Sequence, residues 1–187
     1  MKKTIFAIVF ALIATLTTAQ SFNGVPISGD LPTAISRFKA KGYIFRQQID
    51  QGAIMQGEVA GQDIELYILI TPKTKQVYKY SIYFSEKTKW SALRNAYDEF
   101  VTLFREKYGI PYGEVKRFDY PYKEGDGFEL LALGADKVDY ATYWLGVQKM
   151  NIVVKISSYK QICIQYENEI LMEQKEKEEQ LIKKNSF

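Results

Sequence analysis

The clearest pattern along the chain is a change in the spacing of its apolar residues. Six large side chains recur at three- and four-residue steps, the period of a helix: Trp90, Leu93, Tyr97, Phe100, Phe104 and Tyr108. Thr88 is a candidate N-cap for this helix, and Gly109 with Pro111 ends it. A shorter helix is predicted with Asp30 as its N-cap and with an apolar stripe made of Leu31, Ala34, Ile35 and Phe38. Both stripes predict helices that face a core.

Elsewhere the apolar spacing falls to two residues, which is typical of strands. One strand has its apolar face at Ile64, Leu66, Ile68 and Ile70, with Glu65 and Tyr67 on the opposite face. The next has Tyr78, Tyr80, Ile82 and Phe84 on its inner face. Two weaker strands precede these, at 43–48 and 53–60. Five more are predicted at 114–120, 128–133, 139–145, 150–156 and 161–166.

The second half of the chain repeats the order of the first. A shift of 86 residues carries Ile64 to Met150 and Tyr80 to Tyr166, and it lays apolar strand faces on each other. A shift of 85 matches a few identical letters, but an odd shift would place apolar faces on polar ones. We therefore predict one α+β domain at 20–168, with helices on one face of an antiparallel sheet. It contains two helix-plus-four-strand units, at about 22–86 and 87–168, and the second is enlarged by a long hairpin between Gly109 and Met150.

The first nineteen residues have the layout of a secretory signal peptide. Lys2 and Lys3 precede an apolar run at 4–16, and small residues lead up to Ala19. We predict cleavage after Ala19 and a periplasmic or extracellular location, with no transmembrane segment left after cleavage. A retained N-terminal anchor is the alternative. The run is short for a bilayer span, which needs roughly 20 residues.

Composition argues against several classes of function. The chain contains no His and a single Cys, Cys163, so it has neither a histidine-based catalytic relay nor a thiolate metal cage. The net charge is +3, and Lys and Glu are interspersed without a basic block, so nucleic acid is not an expected partner. We expect a protein that is not an enzyme and has no cofactor or metal. Cys163 is expected to face an interior; a reactive thiol is the alternative.

The best candidate for a binding surface is an aromatic arm that begins at Arg117. Phe118, Tyr120 and Tyr122 alternate with other residues, so a strand would place the three rings on one face. Tyr and Arg are favoured at interfaces, which makes a protein or an envelope glycan the expected partner, with Arg117 orienting it. The alternative is that the rings cover the core of an enlarged second unit.

An acidic tip follows this arm, in a predicted long hairpin. Glu124 and Asp126 could hold calcium, although a solvated turn is the simpler interpretation. Asp119 paired with Glu124 or Asp126 could instead form the two-carboxylate site of a glycan hydrolase. The sequence gives no sign that these acids are buried.

The last segment, 169–187, is charge-rich and favours a helix. Glu173 with Lys177 and Glu179 with Lys183 are four residues apart, in the favourable direction for ion pairs. A solvated helix is the simpler interpretation. A helix that docks a partner or another copy is the alternative, which would suit a structural component of the envelope.

The repeated helix-plus-four-strand order resembles the β-lactamase-inhibitor-protein-like fold of small secreted bacterial proteins of unknown function. Local patterns that share this resemblance are Phe22-Asn23-Gly24-Val25-Pro26-Ile27-Ser28-Gly29, Lys39-Ala40-Lys41-Gly42-Tyr43, Trp90-Ser91-Ala92-Leu93 and Lys107-Tyr108-Gly109-Ile110-Pro111. The resemblance implies binding rather than catalysis, at the sheet face opposite the helices. It carries over no residue roles. The disulfides of the true inhibitors have no counterpart here, and Gln20 stands where related lipoproteins carry a Cys.

Overall fold

Two helices pack on one face of an eight-stranded antiparallel sheet, which confirms the predicted α+β class. The computed structural model describes residues 21–185, so the predicted signal peptide at 1–19 lies outside the described residues. No helix within 21–185 is both long and apolar enough to span a bilayer. In chain order the elements are β1 (Ser21–Phe22), β2 (Val25–Pro26), α1 (Leu31–Lys39), β3 (Ile44–Ile49), β4 (Gly52–Val59), β5 (Gln62–Ile70), β6 (Val77–Phe84), α2 (Trp90–Tyr108), β7 (Gly113–Phe118), α3 (Glu129–Gly134), β8 (Val138–Val147), β9 (Met150–Ile156), β10 (Ile162–Asn168) and α4 (Glu169–Lys184).

The sheet consists of two four-stranded halves that meet where β6 pairs with β10. Its strand order is β3-β4-β5-β6-β10-β9-β8-β7, and β1 and β2 form a separate two-stranded sheet. At the seam Tyr80 lies opposite Tyr166, 86 residues later in the chain. The pairs on either side, Lys79 with Glu167 and Ser81 with Gln165, are symmetric about this one. The predicted shift therefore holds where the two halves meet.

Along β9 the predicted alignment is wrong by two residues. In the first half Leu66 pairs with Ile82. The residue 86 positions after Ile82 is Asn168, and in the second half Asn168 pairs with Met150. Met150 is thus the structural counterpart of Leu66 and not of Ile64. An offset of two residues keeps every side chain on its predicted face, because side chains alternate with a period of two.

The core lies between α1, α2 and the sheet face that they cover. The Phe38 ring of α1 meets Tyr80 edge-on at 5.1 Å, and Phe104 of α2 lies 5.7 Å from Trp144. Asp30 caps α1 as predicted, since its carboxylate accepts the Thr33 N–H at 2.9 Å. The predicted cap of α2 is wrong. Lys89, not Thr88, holds the N-cap position, and no side chain there accepts a hydrogen bond.

The predicted strand at 128–133 is also wrong, because this segment forms the short helix α3. Asp126 accepts the Phe128 N–H at 2.8 Å, and Glu129 accepts the Gly125 N–H at 2.8 Å, so the chain turns back on itself before α3. Ala132 and Leu133 are buried on one side of the helix. Over six residues, apolar spacing alone does not separate a strand from a helix.

The C-terminal helix α4 begins at the predicted residue, Glu169, and ends at Lys184, but it is not wholly solvated. It contacts β6 and β10, and the Glu178 side chain is only 6% exposed. The Glu178 carboxylate accepts the Lys73 N–H at 2.6 Å, the Thr74 hydroxyl at 2.6 Å and the Gln174 amide at 3.0 Å. These bonds fasten α4 to the turn between β5 and β6.

We expect Glu178→Gln to weaken this attachment in a pH-dependent way. Burial raises the pKa of Glu178, but its hydrogen bonds from Thr74, Lys73 and Gln174 outweigh burial and lower the pKa from 4.5 to about 2. The stabilisation by the charged carboxylate is therefore fully present above pH 4.5 and is lost as the pH falls towards 2. Above pH 4.5 the variant should lose roughly 1 to 3 kcal/mol of unfolding free energy, measured by urea denaturation. Glu176→Gln, on the exposed side of α4, is the matched control. Equal losses in both variants, or a loss unchanged at pH 2, would contradict the expectation.

Candidate functional site

The structure separates the three rings of the predicted aromatic arm. β7 ends at Phe118, so the alternation of a strand stops there, and the expectation of one shared face is wrong. Phe118 packs edge-on against Trp90 at 5.5 Å and lies 6.3 Å from Tyr140, at the margin of the core. Tyr120 is 93% exposed, while Tyr122 is half-buried. A role for these residues in binding a partner stays a prediction.

Arg117 points to the sheet face opposite Phe118, since neighbouring residues of a strand alternate between faces. Its guanidinium forms ion pairs with Asp119 at 3.2 Å and with Asp139 at 3.6 Å. All three side chains are largely exposed, so these pairs contribute little to stability. These two ion pairs hold the Arg117 guanidinium beside the end of β7.

The acids of the predicted tip have structural partners. Asp126 accepts the N–H groups of Lys123 and Phe128, and these bonds lower its pKa. A general acid in a glycan hydrolase needs the opposite shift. Glu124 lies 3.3 Å from the Arg94 guanidinium and accepts the Tyr140 hydroxyl at 3.0 Å. Within residues 21–185, no three acidic, Cys or His side chains come together in a way that could hold a metal ion.

The sheet face opposite α1 and α2, here called the outer face, carries two rows of side chains that cross all eight strands. Strand register defines both rows, because directly opposed residues share a face. One row runs from β3 to β7 through Ile44, Gln56, Glu65, Tyr83, Cys163, Lys155, Ala141 and Val115. The other runs through Gln47, Ile54, Tyr67, Ser81, Gln165, Val153, Tyr143 and Gly113. Near the middle of the sheet, small residues lie directly opposite two tyrosines: Ser81 is opposite Tyr67, and Cys163 is opposite Tyr83.

Three of the outer tyrosine rings line a cavity of about 720 Å³, here called the tyrosine cavity. Tyr67 and Tyr83 lie on neighbouring strands, and their rings meet edge-to-face at 5.2 Å. Tyr159, in the turn between β9 and β10, forms part of the wall and is 74% exposed. Glu65 and Lys160 also line the cavity. Aromatic walls with a few polar groups are typical of binding sites.

Two phenols of the tyrosine cavity, those of Tyr67 and Tyr83, and the thiol of Cys163 beside them stay protonated at neutral pH. Burial raises the pKa of Tyr83, and the neighbouring Cys163, Tyr67 and Tyr159 raise it further. Burial and the Glu65 carboxylate raise the pKa of Tyr67. Cys163 is fully buried beside Tyr83, and burial raises the pKa of its thiol. The raised pKa values mean that neither these two phenols nor this thiol is activated as a base or a nucleophile.

In the sequence, Glu65 and Tyr67 stand out only as the polar side of a predicted strand. Their partners Tyr83 and Tyr159 lie in other elements, 16 or more residues away in the chain. The one sequence signal for the tyrosine cavity is that tyrosines lie on the polar side of two neighbouring predicted strands. Such rings face solvent unless something covers them.

The architecture is therefore an α+β fold whose eight-stranded antiparallel sheet carries α1 and α2 on one face and exposes tyrosines on the other. Comparisons with protein-family models, with curated proteins and with solved structures find no match. The function has to be argued from the outer face itself.

Proposed function

We propose that this protein is a secreted or periplasmic binding module without catalytic activity, which recognises another protein or an envelope component through its outer face. The observation that carries the proposal is the tyrosine cavity. It gathers Tyr67, Tyr83 and Tyr159 on a sheet face that α1 and α2 leave uncovered. Tyrosine combines a large apolar ring with a polar hydroxyl, so it gives contact area without a fully apolar surface.

Three further points support the proposal. The raised pKa values of Tyr83 and Cys163 leave both groups protonated, so neither is suited to abstract a proton or to attack a substrate at neutral pH. The location rests on the predicted signal peptide at 1–19. The resemblance to secreted proteins of the β-lactamase-inhibitor-protein-like fold also favours the face opposite the helices as the binding surface.

The test is capture of a partner by the mature protein in cells of its source, by cross-linking and mass spectrometry. Four forms are compared: the unmodified protein, Tyr67→Ala combined with Tyr159→Ala, Tyr120→Ala on the predicted arm, and Tyr112→Ala as an exposed control. We expect the double variant to lower recovery of a stoichiometric partner at least tenfold, because truncating two central interface tyrosines costs roughly 2 to 4 kcal/mol. Tyr112→Ala should leave recovery unchanged.

The outcomes show which surface of the protein contacts the partner. Loss confined to the double variant supports the outer face as the contact. Loss confined to Tyr120→Ala would move the contact to the arm, and equal recovery in all four forms would contradict the proposal. Melting temperatures of all forms establish that each variant is folded.

A further inference from the structure

The charges that line the tyrosine cavity do not balance. Glu65, Glu86 and Lys160 all line it, and the Lys160 ammonium lies 3.3 Å from the Glu86 carboxylate. Glu65 forms no ion pair within the described part of the chain, and its carboxylate raises the pKa of the neighbouring Tyr67. The cavity therefore holds one carboxylate in excess, beside three aromatic rings.

This arrangement favours a cation over other ligands. The face of an aromatic ring is electronegative and attracts cations placed over it. The Glu65 side chain stands directly opposite Tyr83 on the neighbouring strand, next to the Tyr67 ring. An anion would meet the excess carboxylate, since the one lysine in the wall is already paired. An apolar ligand would remove that carboxylate from water without compensation.

A bare metal ion suits the cavity less well than an organic cation. Hard metal ions need several oxygen ligands at once, and residues 21–185 bring no three acidic, Cys or His side chains together for that purpose. Aromatic rings beside a single carboxylate match a cation with an apolar surface.

We propose that the tyrosine cavity binds an organic ammonium group, with Tyr67, Tyr83 and Tyr159 around it and Glu65 balancing its charge. The proposal rests on the proposed function, because it names the chemistry that the recognised partner presents to the outer face. The group itself, alkylammonium or trimethylammonium, is the shared chemistry whatever molecule carries it.

The test uses choline as the probe and 3,3-dimethylbutan-1-ol as its neutral counterpart of nearly the same shape. Binding to the folded protein is followed by NMR of the aromatic side chains. We expect choline to bind with a Kd on the order of 1 mM, as summed weak contacts with exposed rings imply. The neutral alcohol should bind at least tenfold more weakly.

Two variants locate the site. Glu65→Gln removes the charge and keeps the shape, and Tyr159→Ala removes one ring; both side chains are exposed, so the fold should persist. Each should weaken choline binding about fivefold. Glu106→Gln on α2 and Tyr112→Ala are the matched controls and should not change it. Equal binding of choline and the alcohol, or choline binding that Glu65→Gln leaves unchanged, would overturn the proposal.

Competition separates this proposal from the proposed function. If choline, added in excess over its own Kd, releases a captured partner, the result supports both the ammonium site and the proposed function. Choline binding in a protein that captures no partner supports the ammonium site and counts against the proposed function. A partner captured through Tyr67 and Tyr159, with no binding of choline, supports the proposed function and overturns the ammonium site.

Discussion

Replacement of Gly52 by Ala is expected to lower the free energy of unfolding by about 2 to 6 kcal/mol. Gly52 opens β4 with a φ of 152°, where an L side chain is strained. A Cβ atom added there would lie 1.9 Å from the carbonyl oxygen of Ile68. Because this neighbour is backbone in the adjacent strand β5, the clash is relieved only by disturbing the β4–β5 pairing.

Urea denaturation measures this loss, and Gly61→Ala is its matched control. Gly61 has a positive φ of 77°, but no atom lies within 4 Å of its added Cβ. The control should lose only the conformational cost, roughly 1 to 2 kcal/mol. Similar losses in the two variants would show that the contact with Ile68 is relaxed at little cost.

Trp144→Ala is expected to cost roughly 3 to 5 kcal/mol, because it empties the largest fully buried site of the described core. The Trp144 side chain is 1% exposed and packs against Phe104. Its indole N–H donates to the carbonyl of Gly109 at 2.9 Å, so the change also removes the bond that ties the end of α2 to β8.

The neighbouring Leu145, which is largely exposed on the opposite face of β8, gives a control in the same strand. Leu145→Ala should change the unfolding free energy by less than about 1 kcal/mol. Thermal denaturation followed by circular dichroism compares the two. A loss from Trp144→Ala no larger than that from Leu145→Ala would contradict the packing described here.

Most of the fold was predictable because long elements carry a clear period. α1, α2, β5 and β9 each bury one side against the core, so their apolar residues mark them. α3 was not predictable, since the side-chain bonds of Asp126 and Glu129 that start it do not appear in an apolar pattern. The two-residue offset of β9 has two sources: the loop at 71–76 is one residue longer than the loop at 157–161, and the β5–β6 pairing shifts by one residue between Leu69 and Ile70.

The candidate site was less accessible to sequence reasoning than the fold. Phe118 and Tyr120 belong to one short segment, but their surroundings differ because Trp90, a distant residue, covers only the first. Tyr67, Tyr83 and Tyr159 are brought together by strand register and by a turn, which the period of a single strand does not contain. A site assembled across strands needs the pairing of those strands before it can be recognised.

The seam between β6 and β10 sets the order in which the sheet is completed as the chain emerges from N- to C-terminus. β10 is the last strand of the sequence, yet it pairs with β6 in the middle of the sheet. Until β10 is available, the backbone N–H and C=O groups on one side of β6 have no strand partner, and such open edges recruit other chains. We therefore expect the protein to be most prone to aggregation after β9 has emerged and before its final strand closes the middle of the sheet.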